Sequence, residues 1–311
     1  MTRPASDAAP KPGPTPAPPT KTEPDGFTRL VTATDCLVCG AAAARWRSDY
    51  PSLVEPFASS VVRWCEACGS GAVEGARALL SGYYERDYAA SNRGDRHAPP
   101  ATYFSAEYRL RSPKISRYFN RAQAHVDLLH DFNVPMEDVL DFGSGPGYLL
   151  HVAQARRKFA YEPDEESAKY LRHIGARRFA TLEEMRGVTF DAIVSSHSLE
   201  HLAAEDLRPT LTILLGALKP QGKLLIEVPN GGHAYLHLEA RNDPHTLFFT
   251  PAGIVAAVEG VGGRVLYRKA RGKSVSPLRH DPFYAPSGGR FAEEARGALA
   301  LVCERGDAKG A

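Results

Sequence analysis

The stretch VLDFGSGPGY at 139–148 constrains this chain more than any other: a short apolar strand ends in an acid and runs at once into three glycines. Gly143, Gly145 and Gly147 allow backbone angles and close ligand approach that a side chain forbids. Tyr148 to Arg156 open a helix whose first free N–H groups face the turn. A turn of this kind handles a nucleotide or is an ordinary strand-to-helix connection, and glycines alone do not separate the two. The continuation favours the first. Lys158 to Tyr161 form a second apolar run that ends in Glu162, where a doubly wound sheet presents a carboxylate to ribose hydroxyls. The spacing G-x-G-x-G lacks the third glycine of a dinucleotide site, which argues against NAD. Phe190 to Val194 read as a further strand, opening into Ser195-Ser196-His197-Ser198-Leu199-Glu200-His201-Leu202, where Glu200 and His201 are expected to begin a helix. Leu224 to Val228 read as the next, followed by the loop Pro229-Asn230-Gly231-Gly232.

With VLDFGSGPGYLL, YEPDEES, FDAIVSSHSLEHL, LKPQGKLLIEVPN and HTLFFTPAGI in this order over roughly 137–305, the chain resembles the class I S-adenosylmethionine-dependent methyltransferases. The resemblance implies an α/β, Rossmann-like sheet of seven strands, the last antiparallel, and S-adenosylmethionine as the methyl donor. Carried over by residue, it places Gly143, Ser144, Gly145, Gly147 and Tyr148 against the methionine part and makes Asp141 orient this loop. Glu162 takes both ribose hydroxyls, as a carboxylate accepting two hydrogen bonds side by side is suited to do. Ser196 and His197 line the sulfonium end. The family often has an acid near the adenine after its third strand. Here that region reads Arg178-Phe179-Ala180-Thr181-Leu182, and adenine recognition stays unassigned.

Two cysteine knuckles form the second strong signal. Cys36-Leu37-Val38-Cys39-Gly40 and Cys65-Glu66-Ala67-Cys68-Gly69 offer four thiolates with the spacing of a tetrahedral zinc site. Disulfides are the alternative, disfavoured in a chain without an export signal. Four thiolates leave no open coordination position, so such an ion is structural and takes no part in methyl transfer. Cys303, in the apolar run Ala298 to Val302 and its continuation, reads as a buried core thiol.

The expected organisation is a disordered Pro-rich tail over 1–30, a zinc-binding module over 31–75, a helical linker or lid over 76–135, the catalytic domain over 136–305 and a tail over 306–311. A tail dominated by Pro, Ala, Thr and Lys cannot bury enough apolar surface to offset its ordering entropy. The run Tyr83-Tyr84-Glu85-Arg86-Asp87-Tyr88 is either a lid over the pocket or packing between modules, and a helical pattern follows from Ser112 to Phe132. A formal charge of +2 gives no reason to expect a polyanion as the main partner. No uninterrupted apolar span approaches twenty residues and the start of the chain is polar, so neither a membrane helix nor a signal peptide is expected, and a cytoplasmic protein is.

Methyl transfer from a sulfonium is an in-line displacement that mainly needs alignment, and a hydroxyl acceptor also needs a base. Histidine suits that role near neutral pH. The candidates are His197, His201, His233 and His245, each of which reads equally as a structural or surface histidine. We favour His245, with His197 second, because HTLFFTP at 245–251 is similar to the stretch that delivers a histidine to the active site in zinc-bearing sugar methyltransferases. There glutamate usually precedes the histidine, whereas here Pro244 does, and those relatives carry a further carboxy-terminal lobe. The resemblance therefore covers their first two modules. The expected activity is O-methylation of a sugar, glycan precursor or other biosynthetic intermediate. One alternative is an RNA methyltransferase of the rRNA guanine type, which joins a zinc module of tighter ligand spacing to the same fold. Another is a non-catalytic cofactor-binding scaffold, against which the intact glycine loop and Glu162 argue.

Overall fold

The structure is a computed structural model that describes residues 28–50, 55–86, 98–230, 232, 244–274 and 296–306. Most of the two expected tails lies outside these residues, as do Asp87, Tyr88 and His233. The amino-terminal part forms β1 (Thr28–Asp35), β2 (Ala42–Asp49), β3 (Val61–Cys65) and β4 (Gly71–Val73), then α1 (Ala76–Arg86). Three helices follow: α2 (Pro100–Tyr103), α3 (Ala106–Arg111) and α4 (Pro113–Asp131). The helix α4 matches its sequence pattern closely. Ser112 caps it by accepting the Ile115 N–H, and Pro113 occupies the first turn, where a missing N–H costs nothing. Ile115, Phe119, Ala122, Val126 and Leu129 fall on one face and are buried.

From Asp138 onward strands and helices alternate: β5 (Asp138–Phe142), α5 (Tyr148–Val152), β6 (Arg157–Tyr161), α6 (Ala168–His173), β7 (Ala176–Phe179), β8 (Phe190–Ser196), α7 (Ala204–Gly216) and β9 (Leu218–Pro229). The chain then adds the two-residue strand β10 (Leu247–Phe248), α8 (Pro251–Glu259), β11 (Gly263–Ser274) and β12 (Arg296–Arg305). Seven strands pair in the order β11-β12-β9-β8-β5-β6-β7. Neighbours from β9 to β7 run parallel, while β12 is antiparallel to both β9 and β11. This is the class I methyltransferase sheet with its last strand reversed.

Both faces of the sheet are covered, so its central strands are nearly continuous apolar runs. Leu140, Phe142, Ile193, Leu224 and Ile226 point into one core layer with Leu207, Leu211 and Ile254 of the helices α7 and α8. Val139, Ala192, Val194 and Leu225 point into the other, against Ala122, Val126 and Leu129 of α4 and Leu150 of α5. The two sets alternate along each strand, as a period of two requires. Cys36, Cys65 and Cys68 belong to the first layer, so the cysteine knuckles pack directly on the helices of the seven-stranded sheet. Cys303 is fully buried there on β12, as the sequence suggests, and burial pushes its thiol up to about 12.

The amino-terminal sheet has the order β1-β2-β3-β4-β10, entirely antiparallel, and its last strand comes from the segment after β9. Tyr83 packs edge-on against Phe57 in the core of this sheet with Trp64 and Phe248. Of the two readings of that aromatic run, Tyr83 follows packing. No helix among the described residues is long and apolar enough to cross a membrane.

Candidate active site

At the carboxyl ends of β5, β6 and β8 the structure encloses a cavity of about 750 Å³. Asp141, Gly143, Ser144, Gly145, Tyr148, Glu162, Ser196, His197, His201 and His245 all line it. Gly147 does not; it caps α5 at φ +92°, and a Cβ there would meet Ile174 Cδ1 at 2.7 Å. Gly143 sits at φ +76°, and its missing Cβ leaves room for Ser198, whose hydroxyl donates to the Phe142 carbonyl at 2.8 Å. The other hold on this loop is Glu162. One carboxylate oxygen accepts the Gly145 N–H at 2.6 Å and the other accepts the Asp164 N–H at 2.8 Å. Arg178 fixes the segment that follows, donating to the carbonyls of Glu162 and Pro163 and pairing with Glu165. The loop thus hangs between two side chains that lie far apart in sequence, Glu162 and Ser198.

Asp141 is buried beneath the loop, and burial pushes its carboxyl up to about 8, with the Glu162 charge adding to the effect. The wall opposite the loop comes from α2 and α4, which contribute Tyr103, Tyr118, Arg121 and His125. Tyr103 and Tyr148 join their hydroxyls across the rim. Sequence reading does not reach this wall, because nothing local to α4 marks which of its polar residues turn inward.

The histidines separate into two environments. His197 stands in the left-handed region at φ +54° and donates its backbone N–H to the Glu227 carbonyl at 2.8 Å. Its Nδ1 lies 3.2 Å from Glu200 Oε1 and its Nε2 lies 3.5 Å from Glu227 Oε1. Burial disfavours the charged ring, but the two carboxylates outweigh it and hold the His197 pKa above its ordinary value. Glu227 is also hydrogen-bonded to buried His125 at 3.1 Å. Burial alone would raise Glu227, yet His125 and His197 keep it well below the usual carboxylate range.

His201 and His245 are held differently. Leu199–His201 form one 3₁₀ turn, and the helix expected to start at Glu200 begins only at Ala204. The turn sets the His201 ring edge-on to His245, with centroids 4.8 Å apart. Burial pushes both rings down, so they are unprotonated at neutral pH. His245 is placed by the residue after it. The Thr246 N–H donates to the Glu200 carbonyl at 2.8 Å, its hydroxyl donates to the Leu202 carbonyl at 2.6 Å, and its own carbonyl accepts the Val73 N–H at 2.9 Å.

The cysteines form a compact cluster on the far side of β10. Gly40 and Gly69, at φ +79° and +70°, close the two knuckles by donating to the Cys36 and Cys65 carbonyls at 2.7 Å. All five cysteines are free thiols. Cys36 Sγ lies 4.0 Å from Cys68 Sγ, and Cys39 Sγ lies 3.8 Å from Cys65 Sγ. A tetrahedron of zinc–sulfur bonds of about 2.3 Å has edges of about 3.8 Å, so the cluster is compatible with zinc. Buried Arg45, tied to Thr34, and Arg208 beside Gly40 bring positive charge to it.

The sheet and its cavity define a doubly wound α/β fold with a ligand pocket at the carboxyl ends of its strands. The chain belongs to the methyltransferase domain family, whose profile matches residues 110–266, just over half of it. No curated protein matches the sequence. Among solved structures it is similar to an S-adenosylmethionine-dependent methyltransferase from Clostridium acetobutylicum, at 10% identity and TM-score 0.45, covering 73% of this chain and 99% of that one. A second, from Archaeoglobus fulgidus, is 16% identical with TM-score 0.45, covering 60% and 94%. A third is the magnesium protoporphyrin IX methyltransferase of Synechocystis with bound S-adenosylmethionine, at 16% identity and TM-score 0.45, covering 71% and 95%.

Proposed function

We propose that the protein methylates a hydroxyl group of a small molecule, a sugar, glycan precursor or other biosynthetic intermediate. S-adenosylmethionine supplies the methyl group when bound. The observation that carries the reading is Glu162. Its carboxylate fixes the glycine loop through Gly145 and lines the cavity at the end of β6, where a doubly wound sheet presents a carboxylate to ribose hydroxyls. Asp141 and the loop from Gly143 to Tyr148 then hold the methionine part, and Ser196 and His197 stand at the sulfonium end. A hydroxyl acceptor must lose its proton as the new bond forms. We place it against His245, whose ring is unprotonated at neutral pH, and not against His197, whose two nitrogens face carboxylates. In this reading Cys36, Cys39, Cys65 and Cys68 hold one structural zinc ion, and the unit from 31 to 75 is a scaffold completed by β10. Near-neutral net charge supports a small acceptor over RNA. The test is incubation with S-adenosylmethionine tritiated in its methyl group, offered a small-molecule extract and a total RNA fraction in parallel. Label in the small-molecule arm is expected. Label confined to RNA would replace the acceptor class, and label in neither with intact cofactor binding would support a scaffold.

A further inference from the structure

We propose that Glu200, His201 and His245 bind a divalent transition-metal ion at the acceptor end of the cavity, separate from the four-cysteine cluster. One ligand atom from each of the three lies within 4.8 Å of the others. A cation with bonds of about 2.0 to 2.2 Å to imidazole and carboxylate spans donors about 3 to 4 Å apart, a contraction that side-chain rotation supplies. The second observation is the state of Glu200. Its side chain is fully buried, yet neither carboxylate oxygen makes a hydrogen bond, and Nδ1 of His201 also lacks one. A buried carboxylate without a hydrogen bond is costly unless something else satisfies it. The nearest charge, His197, approaches one oxygen at 3.2 Å without closing a hydrogen bond. The backbone fixes the arrangement. Glu200 and His201 share one 3₁₀ turn, and Thr246 ties the His245 segment to the Glu200 and Leu202 carbonyls.

Two imidazoles and one carboxylate suit a transition-metal ion such as borderline Zn²⁺, or the harder Mn²⁺, better than Mg²⁺, which prefers oxygen ligands. Three protein ligands leave positions open, and His201 and His245 both face the cavity. The open position would take an oxygen of the acceptor, favouring a hydroxyl with a second oxygen beside it, such as a vicinal diol or an α-hydroxy acid. In that arrangement the bound hydroxyl releases its proton to solvent, its oxygen takes the methyl group, and the donor sulfonium leaves as the neutral thioether. The inference rests on methyl transfer occurring in this cavity: with the ion bound, His245 is a ligand and the proton goes to solvent, and without it His245 takes the proton.

The probe is Mn²⁺. The full chain is loaded with Mn²⁺, desalted and analysed for total transition metal, with free Mn²⁺ followed by paramagnetic resonance and S-adenosylmethionine affinity measured on the same samples. The wild type should hold one more metal equivalent than His201→Gln or His245→Gln, while all three keep equal cofactor affinity and an unchanged melting profile. Equal metal content in the wild type and both ligand variants overturns the site. A wild type that binds the cofactor without the extra ion overturns the cation site alone; binding neither overturns the reading beneath it as well.

Discussion

Glu162 holds the glycine loop at the Gly145 N–H and Ser198 holds it at the Phe142 carbonyl, and the place of Ser198 depends on the missing side chain of Gly143. Gly143→Ala would drive a Cβ into the Ser198 hydroxyl at φ +76°, where side chains are strained. We predict a loss of about 1 to 3 kcal/mol in stability, read from denaturant midpoints, together with weaker cofactor binding. The double variant Gly143→Ala with Ser198→Gly removes the clash but not the strained angle, so it should recover part of the loss. A Gly143→Ala protein as stable as wild type would mean the loop relaxes freely. At the opposite edge of the sheet, buried Asp138 accepts from Arg157 and from Lys219, which also reaches Asp191. The Arg157 hydrogen bond is the largest influence; burial opposes it and Lys219 adds to it, leaving the Asp138 pKa lowered. A lowered carboxyl stabilises the fold above its unfolded value of about 3.9 and loses that contribution as pH falls through the folded value. Asp138→Asn should therefore lower the urea midpoint at pH 7, and its gap from wild type should narrow in acid. A gap independent of pH would show that packing, not charge, is what the substitution removes.

The element that links the two halves is β10, only two residues long. Leu247 and Phe248 complete the sheet of the cysteine module, Thr250 bonds the Cys68 carbonyl, and Thr246 bonds the turn that carries Glu200 and His201. The knuckles therefore reach the cavity through a backbone segment instead of through coordination chemistry. If zinc holds the four cysteines, removing it should disturb His245 more than the glycine loop. Cys65→Ser is expected to lower turnover strongly, since a misplacement of about 1 Å can cost about a hundredfold, while S-adenosylmethionine affinity stays near wild type. Equal losses in turnover and affinity would point instead to general unfolding. No sequence pattern announces β10. HTLFFTP marks a segment near the site, but a two-residue strand has no periodicity, and its partner Gly71–Ala72 lies more than 170 residues earlier.

Across the whole molecule, legibility follows sequence distance. The unit from β5 to Glu162 is local, so strand, glycine turn, helix and acid are readable in order, whereas the seven-strand sheet with its reversed last strand is expected only from the family resemblance. The cysteine knuckles were readable because each is a four-residue turn with its own glycine. The α4 wall, with Tyr118, Arg121 and His125, was not, because its polar residues differ from surface residues only by what they meet, as when His125 reaches Glu227 across the fold. The histidines were legible as a set but not in their division. That His197 faces two carboxylates while His201 and His245 pair with each other depends on one left-handed residue and one 3₁₀ turn.

Glu162 is the side chain on which we propose that binding of the methyl donor depends. Calorimetric titration of S-adenosylmethionine into the wild type and into Glu162→Ala, with the fold of each checked by its melting profile, tests this directly. The wild type should bind, and the variant should bind about 1.5 to 3 kcal/mol more weakly, the scale of hydrogen bonds to a charged group. A folded Glu162→Ala protein with wild-type affinity, or a wild type that does not bind the donor, would contradict it.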